Sequence, residues 1–443
     1  MKNRLLRGVL LLGVVLLTLG GAGLPAQVTV LKNAGLIDGT GRPLQRGVSI
    51  VISGGRIRQI GPAAQVKAPR GANVVDLTGK TVMPGIMNLH GHLGLVEVKG
   101  IKQDRAYFTR DNIEAQLRNY ASFGVTTMVD MGSDVDPQIV LRIRDEEREG
   151  RLNGMARVFT AGRGFTCPGG YPAVLPGNKG IPFEVSSADE ARMHVDELAK
   201  MRVDLVKMWV DDELGRYPKI SPQVYSAIID EAHKRHLKAA AHLFYLADAK
   251  RLLEAGLDAM AHSVRDQGVD DDLIARLKRN NATAIPTLAR EQSVFVWANH
   301  PAFLGDPFFE RAVSPESLAT LKSAAYVDRM RSNPDFSKYP GFFATASRNL
   351  KRLSDAGVRI GFGTDTGPPG RIQGFFEHWE MELMVKAGLT PMQAIEAASK
   401  NAAEYLGVSR DFGTLEKGKH ADLLVLDKSP LDDIRNTRTI AAV

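Results

Sequence analysis

The stretch that decides the fold is "VMPGIMNLHGHLGL", residues 82–95, in which an apolar run ends in two histidines. His90 and His92 are separated only by Gly91, and side chains alternate between the two faces of a strand. The two imidazoles therefore share one face, and the glycine between them leaves room for a close approach. This pattern predicts a buried strand that ends in two imidazoles on one face, which are either two arms of a metal site or hydrogen-bonded structural histidines.

Seven further apolar runs follow and alternate with amphipathic helical stretches. The eight predicted strands are 81–90, 124–131, 156–162, 203–210, 237–242, 258–262, 282–288 and 358–365. One intervening helix is predicted to begin with Ser221 as its N-cap and Pro222 at its first position. Eight strands that alternate with helices indicate a (β/α)₈ TIM barrel of the α/β class. A doubly wound sheet is the alternative, but no GxGxxG motif follows the first strand.

The two ends of the chain differ from this middle. Short β-branched runs and turns such as "DGTG" and "SGGR" predict antiparallel hairpins near the N-terminus, and "ADLLVLD" predicts a strand near the C-terminus. We expect both ends to build one small β-sandwich. The predicted organisation is a signal peptide at 1–26, sandwich parts at 27–83 and 411–443, and a barrel at 84–410 with an insertion at 289–354. The aromatic residues of the insertion either line a substrate pocket or anchor the insertion to the barrel.

The first residues have the pattern of a secretory signal peptide. Lys2, Arg4 and Arg7 precede the apolar run "VLLLGVVLLTL", and small residues follow it. A bilayer span needs about 20 apolar residues, more than this run provides. We expect cleavage after Ala26 and a secreted or periplasmic protein without stable membrane association; an uncleaved N-terminal anchor is the alternative.

The composition restricts the type of protein, its partners and its cysteine chemistry. The 443 residues are 44% hydrophobic and 24% charged, as in ordinary globular proteins. The net charge is +7, but the lysines and arginines are scattered among acidic residues, so nucleic acid is not an expected partner. Cys167 is the single cysteine, so no internal disulfide can form, and nothing near it in sequence would act as its base.

Polar residues stand at the ends of several predicted strands. In a parallel barrel the active site forms at the carboxyl ends of the strands. Imidazole and carboxylate groups are ligands for Zn²⁺ and similar divalent ions. The residues concerned are His90 and His92 on strand one, Lys207 within strand four, His242 on strand five, His262 on strand six and Asp365 on strand eight.

Lys207 does not fit a metal site as an ordinary ammonium. A cation repels a metal, and a buried amine without a partner is unfavourable. An amine that has captured CO₂ is instead a carbamate, an anion whose two oxygens can bridge two metals. The alternative is an ordinary lysine paired with Asp365, Asp211 or Asp212.

Taken together, these motifs resemble the amidohydrolase superfamily over residues 28–443. The resemblance depends on "PGIMNLHGH", Lys207, His242, His262, "GFGTDTG" and the tail "GTLEKGKHADLLVLD". Within the superfamily, Lys207 is similar to the bridging residue of the binuclear, carboxylated-lysine branch that includes imidazolonepropionase-like and Xaa-Pro dipeptidase-like enzymes.

The resemblance implies a role for each matching residue. His90, His92 and Asp365 would bind one metal, His242 and His262 a second, and carboxylated Lys207 would bridge two ions, by default Zn²⁺. A hydroxide between the metals would attack the substrate, and Asp365 would carry its proton to the leaving amine. Tyr245, shortly after the strand-five histidine, is the implied residue for holding the substrate carbonyl. Its alternative role is a packed surface tyrosine.

The implied activity is hydrolysis of a small-molecule amide, of dipeptide or N-acyl amino acid type. A cyclic-amide hydrolase, a deaminase on the same scaffold and a non-catalytic binding protein are the alternatives. Arg163 and Arg290 follow strands three and seven, so either is a candidate for binding a substrate carboxylate. His378 is a weaker candidate for the pocket, and a homo-oligomer is possible.

Overall fold

The structure is a computed structural model that describes residues 27–443. The predicted signal peptide therefore lies outside the described residues. Strands are, in chain order, β1 (Thr29–Leu36), β2 (Gln45–Ser53), β3 (Arg56–Pro62), β4 (Asn73–Asp76), β5 (Thr81–Pro84), β6 (Ile86–Gly91), β7 (Val125–Asp130), β8 (Arg157–Thr160), β9 (Phe165–Thr166), β10 (Phe183–Glu184), β11 (Leu205–Val210), β12 (Lys238–Leu243), β13 (Ala259–Met260), β14 (Thr283–Ala284), β15 (Arg359–Ile360), β16 (Leu423–Leu426) and β17 (Ile440–Ala442).

The α-helices of this part of the chain lie mostly between the parallel strands. They are α1 (Arg110–Ser122), α2 (Pro137–Arg148), α3 (Ala188–Met201), α4 (Pro222–Lys234), α5 (Leu246–Glu254), α6 (Asp271–Arg279), α7 (Leu288–Ser293), α8 (Pro307–Glu310), α9 (Pro315–Lys322), α10 (Ala324–Arg331), α11 (Tyr339–Asp355), α12 (Phe375–Lys386), α13 (Pro391–Ala397) and α14 (Lys400–Leu406). The predicted start of α4 is confirmed: Pro222 is its first residue and the Ser221 side chain accepts a hydrogen bond from the Val224 N–H. No helix within residues 27–443 combines the length and apolar character needed to cross a membrane.

Both ends of the chain contribute to one seven-stranded sheet. Its order is β17-β16-β5-β1-β2-β3, with β4 also pairing with β1. The hairpins β1–β2 and β2–β3 are antiparallel, as the turn motifs predict, whereas β4 and β5 run parallel to β1. One face buries a small apolar core that includes Leu36, Ile50, Val82 and Val425. The sandwich arrangement of these strands remains a prediction.

The middle of the chain forms two parallel sheets. One has the order β6-β7-β8, and the other β10-β9-β11-β12-β13-β14-β15. Backbone hydrogen bonds also join neighbouring segments of the two sheets. Leu89 N–H donates to the Phe362 carbonyl at 2.8 Å, and Asp204 N–H donates to the Thr160 carbonyl at 2.9 Å. The first and last predicted strands are thus side by side.

Several strand bounds differ from the predicted ones. The run 81–90 is two strands, since β5 pairs with β16 in the sheet of the chain ends and β6 pairs with β7. Gly85 lies between them, where a Cβ atom would stand 2.2 Å from Thr126 Oγ1. β14 and β15 are much shorter than predicted. Thr287 and Asp365, near the ends of the predicted runs, have φ values of 50° and 57°, so the chain has left the extended conformation there.

The insertion 289–354 is anchored by its aromatic residues. Trp297 is fully buried, stacks on Phe376 with ring centroids 6.2 Å apart, and also contacts Phe303 and Phe309. Phe303 in turn packs against Trp379 of α12. The aromatic residues of this cluster therefore anchor the insertion, which is one of the two alternatives that the sequence leaves open.

We expect Trp297→Ala to lower the free energy of unfolding by about 3–5 kcal/mol, because it removes a large buried ring and leaves a cavity among aromatic neighbours. Denaturant titration of the purified protein measures this change. Phe295→Ala is the control, because Phe295 is only half-buried and has one aromatic neighbour, Phe343. Equal destabilisation by the two variants would contradict the anchoring role.

Candidate metal centre and its cavity

The fold brings the six predicted metal ligands together. His90 lies in β6, Lys207 in β11 and His242 in β12, while His92, His262 and Asp365 stand just beyond the ends of β6, β13 and β15. Five of them are at most 5% exposed, and the His92 side chain is 12% exposed. These residues are far apart in the sequence. They lie close together because the parallel strands that carry them are neighbours.

One group forms around Asp365. Ligand atoms of His90, His262 and Asp365 all lie within 4.8 Å of one another. His92 Nε2 is 2.9 Å from Asp365 Oδ1, and Lys207 Nζ is 3.3 Å from His90 Nε2. Three imidazoles, a carboxylate and an amine thus converge on a space of metal-site dimensions.

A second group forms around His242. Its ring centroid is 4.3 Å from that of His262, so the two groups adjoin. Ligand atoms of His242, Asp211 and Glu213 lie within 4.8 Å of one another, and His242 Nε2 is 2.7 Å from Asp211 Oδ2. Asp211 and Glu213 are additions to the predicted site. The acidic run "DDE" directly after β11 is the sequence feature that indicates them.

Burial sets the charge of the histidines. It lowers the pKa of His90 and His262 well below the usual value, and lowers that of His242 to about 3 against the opposing effect of Asp211. Neutral imidazoles offer the lone pair that a metal requires. Burial opposes the ionisation of Asp365, but Arg371 and the two histidines beside it hold its pKa well below the usual range.

Lys207 is completely buried, and burial lowers its pKa to about 7. Within residues 27–443 it has no carboxylate partner at salt-bridge distance, so the alternative pairing with Asp365, Asp211 or Asp212 is not formed there. Its amine lies over the Trp209 ring at 5.4 Å. A substantial fraction of a lysine with such a pKa is the free amine at neutral pH.

Ser133 fixes the orientation of the His92 ring. Its Oγ is 2.8 Å from His92 Nδ1 and donates in turn to Asp130 Oδ1 at 3.4 Å. This leaves His92 Nε2 directed at Asp365. A histidine ligand usually donates its other N–H to such an outer partner, which fixes tautomer and ring angle.

We expect Ser133→Ala to weaken metal binding about 10- to 100-fold, because the His92 ring loses the partner that holds it. Competition against a chromophoric chelator measures the affinity. Ser399→Ala serves as the control, since within the described part of the chain that buried hydroxyl donates to the Ile395 carbonyl of the preceding helix and to no other group. Unchanged affinity in Ser133→Ala would show that the hydroxyl does not orient the ligand.

A cavity of about 460 Å³ opens on the histidines. Its wall combines apolar side chains with a few polar ones. The lining residues include His90, His92, His242, His262, Asp365, Arg371, Tyr171, Trp209, Leu93, Leu95, Leu175, Ile181, Gln103, Asn178, Arg329 and Asn333. Arg329 and Asn333 belong to the insertion 289–354, which therefore reaches the cavity through polar residues.

The predicted substrate-binding residues are not part of this lining. Arg163 donates to the Ile181 and Gly180 carbonyls at 2.5 and 3.1 Å. Arg290 is buried, pairs with Glu291 at 3.1 Å, and has its Nε 3.9 Å from Asp365 Oδ2. Tyr245 donates its hydroxyl hydrogen to Asp212 at 2.8 Å. All three are thus engaged with other protein groups.

Other candidates also have defined surroundings. His378 is buried away from the cavity, between the Phe123 carbonyl and the Thr437 hydroxyl. Cys167 is half-buried, and burial raises the pKa of its thiol, which does not favour a nucleophile.

Arg371 and Tyr171 were missed by the sequence reasoning. Arg371 ion-pairs with Asp365, and its position six residues later in "DTGPPGR" is the available sequence indication.

Comparisons with known proteins agree with these observations. Residues 81–443 match the Amidohydrolase family. Ochratoxinase from Aspergillus niger is 24% identical over 93% of this chain and 83% of that protein. Imidazolonepropionase from Streptomyces griseus is 24% identical over 90% of both chains. A crystal structure of a putative prolidase from Bifidobacterium longum superposes with a TM-score of 0.72 at 27% identity, covering 94% of this chain and 93% of that one.

The family match and the structural likeness imply a TIM-barrel-type fold for the parallel sheets. They also confirm the resemblance to the amidohydrolase superfamily on which the sequence-based prediction depends. The chain belongs to the amidohydrolase family and is a hydrolase that acts on carbon–nitrogen bonds.

Proposed function

We propose that the protein hydrolyses the amide bond of a dipeptide or an N-acyl amino acid with two divalent metal ions, by default Zn²⁺. One observation carries the proposal. Side chains of metal-site chemistry from five separate strands converge: His90, His92, His242, His262 and Asp365 line one cavity, and Lys207 Nζ lies 3.3 Å from His90 Nε2.

The residues fit such metals. The histidines are held neutral by burial, and His90 Nδ1 is a buried nitrogen that makes no hydrogen bond within residues 27–443. His90, His92 and Asp365 would hold one ion, and His242 with His262 the other. Asp211 is bonded to His242 Nε2, so it would either orient this ligand or give way to the ion. When bound, the metals supply a hydroxide nucleophile at neutral pH and Lewis acidity toward the amide carbonyl.

The buried amine of Lys207 supports a carbamate as the bridge. Only the neutral amine attacks CO₂: its nitrogen forms a bond to the carbon, one N–H proton is released, and an anion with two oxygens results. Burial keeps a fraction of Lys207 in that neutral form. A charged ammonium in the same place would face neutral histidines without a carboxylate partner.

Asp365 is the proposed proton carrier. It remains ionised because Arg371 and the adjacent histidines stabilise its carboxylate, so it can accept a proton from the nucleophile. It would then deliver that proton to the leaving amine. Arg371 and His92 Nε2 contact different oxygens of the Asp365 carboxylate.

A tyrosine would hold the substrate carbonyl. Tyr245 remains the residue predicted from the family resemblance, although its hydroxyl is bonded to Asp212. Tyr171 is an additional candidate, because it lines the cavity and its ring centroid lies 5.3 Å from that of His242.

Two further parts of the proposal concern architecture and location. We propose that the two parallel sheets close into an eight-stranded barrel, which the hydrogen bonds Leu89–Phe362 and Asp204–Thr160 support.

We also propose that the protein is exported to the periplasm or the outside. The basic start, the apolar run 9–19 and the small residues before Gln27 support export.

Removal of metal tests the proposed function. We expect chelation to abolish hydrolysis across a library of dipeptides and N-acyl amino acids, and readdition of Zn²⁺, Mn²⁺ or Co²⁺ to restore it, because the metals supply the nucleophile. Elemental analysis should give two metals per chain. A metal-loaded protein that hydrolyses no member of the library, or a chelated one that is fully active, would contradict the proposal.

A further inference from the structure

We propose that Arg329, assisted by Asn333, is the group that selects a substrate carboxylate at the cavity, and that the neutral amide of the same substrate is disfavoured. This inference rests on the proposed function and specifies how its substrate is recognised. It assigns the recognition to the insertion 289–354 rather than to residues that follow the barrel strands.

Arg329 differs from the other arginines near the site in having its guanidinium free. It is exposed on α10 and lines the cavity, and within residues 27–443 it forms no ion pair. Its one neighbour of note is the Tyr326 ring, 5.9 Å from Cζ. Arg163, Arg290 and Arg371 are engaged with backbone carbonyls, Glu291 and Asp365 respectively.

Asn333 adds a second donor. Its Oδ1 already accepts a hydrogen bond from Asp335 N–H at 2.9 Å, and the amide NH₂ makes no hydrogen bond to any group of residues 27–443. A guanidinium and an amide NH₂ on one wall present only donors. Such a pair matches a carboxylate, which only accepts hydrogen bonds, better than a carboxamide.

The segment that carries both residues is held from two sides. Arg331 donates to the Ala298 carbonyl at 3.0 Å, and Arg216 pairs with Asp335 at 2.7 Å. The second contact ties the insertion to the loop that follows β11. A preorganised segment loses little conformational entropy when it binds a ligand.

The rest of the cavity limits which part of a substrate can lie between the metal ligands and Arg329. The metal ligands occupy one part of the lining, and Leu93, Leu95, Leu175 and Ile181 provide apolar wall. A substrate that places its amide at the histidines and its carboxylate at Arg329 would bring an apolar side chain against this wall. An N-acyl amino acid with an apolar side chain, or a dipeptide of similar form, has these three features.

The experiment compares N-acetyl-L-leucine with N-acetyl-L-leucinamide, which differ only in carboxylate against carboxamide. We expect the wild type to prefer the acid, and Arg329→Ala to lower kcat/KM for the acid 10- to 100-fold, mainly through KM, with less than a twofold change for the amide. Arg329→Lys should retain part of the preference. The matched control is Arg348→Ala, at an exposed arginine of α11 whose one side-chain hydrogen bond among residues 27–443 is to Thr345; it should change kcat/KM for neither substrate.

Equilibrium binding separates this inference from the proposed function. Calorimetry with both probes on full-length Asp365→Asn protein, alone and combined with Arg329→Ala, reports recognition without turnover. If Arg329→Ala weakens binding of the acid but not of the amide, this supports the carboxylate site even if no hydrolysis is found. Equal binding of the two probes, or no effect of Arg329→Ala on their ratio, overturns the inference even if the enzyme is active.

Discussion

Replacement of Lys207 by methionine is expected to lower kcat at least about a thousandfold and to reduce the metal content below two ions per chain. The substitution keeps the length and burial of the side chain but removes the nitrogen that would carry the carbamate. Loss of the bridging anion leaves no shared ligand between the ion at His90, His92 and Asp365 and the ion at His242 and His262. Metal catalysis of this kind contributes several kcal/mol, and each 1.36 kcal/mol is a factor of ten in rate.

Steady-state kinetics and elemental analysis of the same preparation measure the effect. Lys238→Met is the matched control: Lys238 is a partly buried lysine at the start of β12, bonded to the Tyr405 carbonyl and far along the strand from His242. Carbon-13 from labelled bicarbonate should remain on wild-type Lys207 and be absent from the variant. A variant that keeps two metals and activity within tenfold of the wild type would show that Lys207 is not the bridge.

The features that sequence reasoning predicted are those with a regular repeat. His90 and His92 are two apart on one strand, so their common face follows from strand geometry. Lys207, His242, His262 and Asp365 could be placed because the ends of parallel strands meet at one edge. The capping of α4 by Ser221 is equally local. In each case the prediction needs only the period of the element and the order of the strands.

The residues that sequence reasoning missed lie in segments without such a repeat. Asp211 and Glu213 turn toward His242 only because the chain bends immediately after β11. Arg163 stands where a strand-end rule expects a substrate contact, but the loop that ends near Ile181 folds back and occupies its donors. Arg329 reaches the cavity from an irregular insertion of several short helices, whose path depends on contacts such as Arg216–Asp335 that have no local pattern.

Replacement of Asp365 by asparagine is expected to lower kcat about a thousandfold. Asparagine keeps the size of the side chain and tolerates the φ of 57° at this position, which most residues disfavour. It cannot accept and release the proton, and general acid–base catalysis contributes about 10²–10⁴-fold. It also leaves the half-buried Arg371 guanidinium without its carboxylate partner.

The same variant separates proton transfer from metal binding. Single-turnover kinetics at saturating metal, with metal content measured in parallel, should show a slow chemical step even in protein that has regained both ions. Asp355→Asn is the control, because Asp355 is an exposed residue of α11 that pairs, among the described residues, with Lys351 alone. If Asp365→Asn with full metal occupancy keeps a rate within tenfold of the wild type, then Asp365 is a metal ligand alone, and another group must carry the proton to the leaving amine.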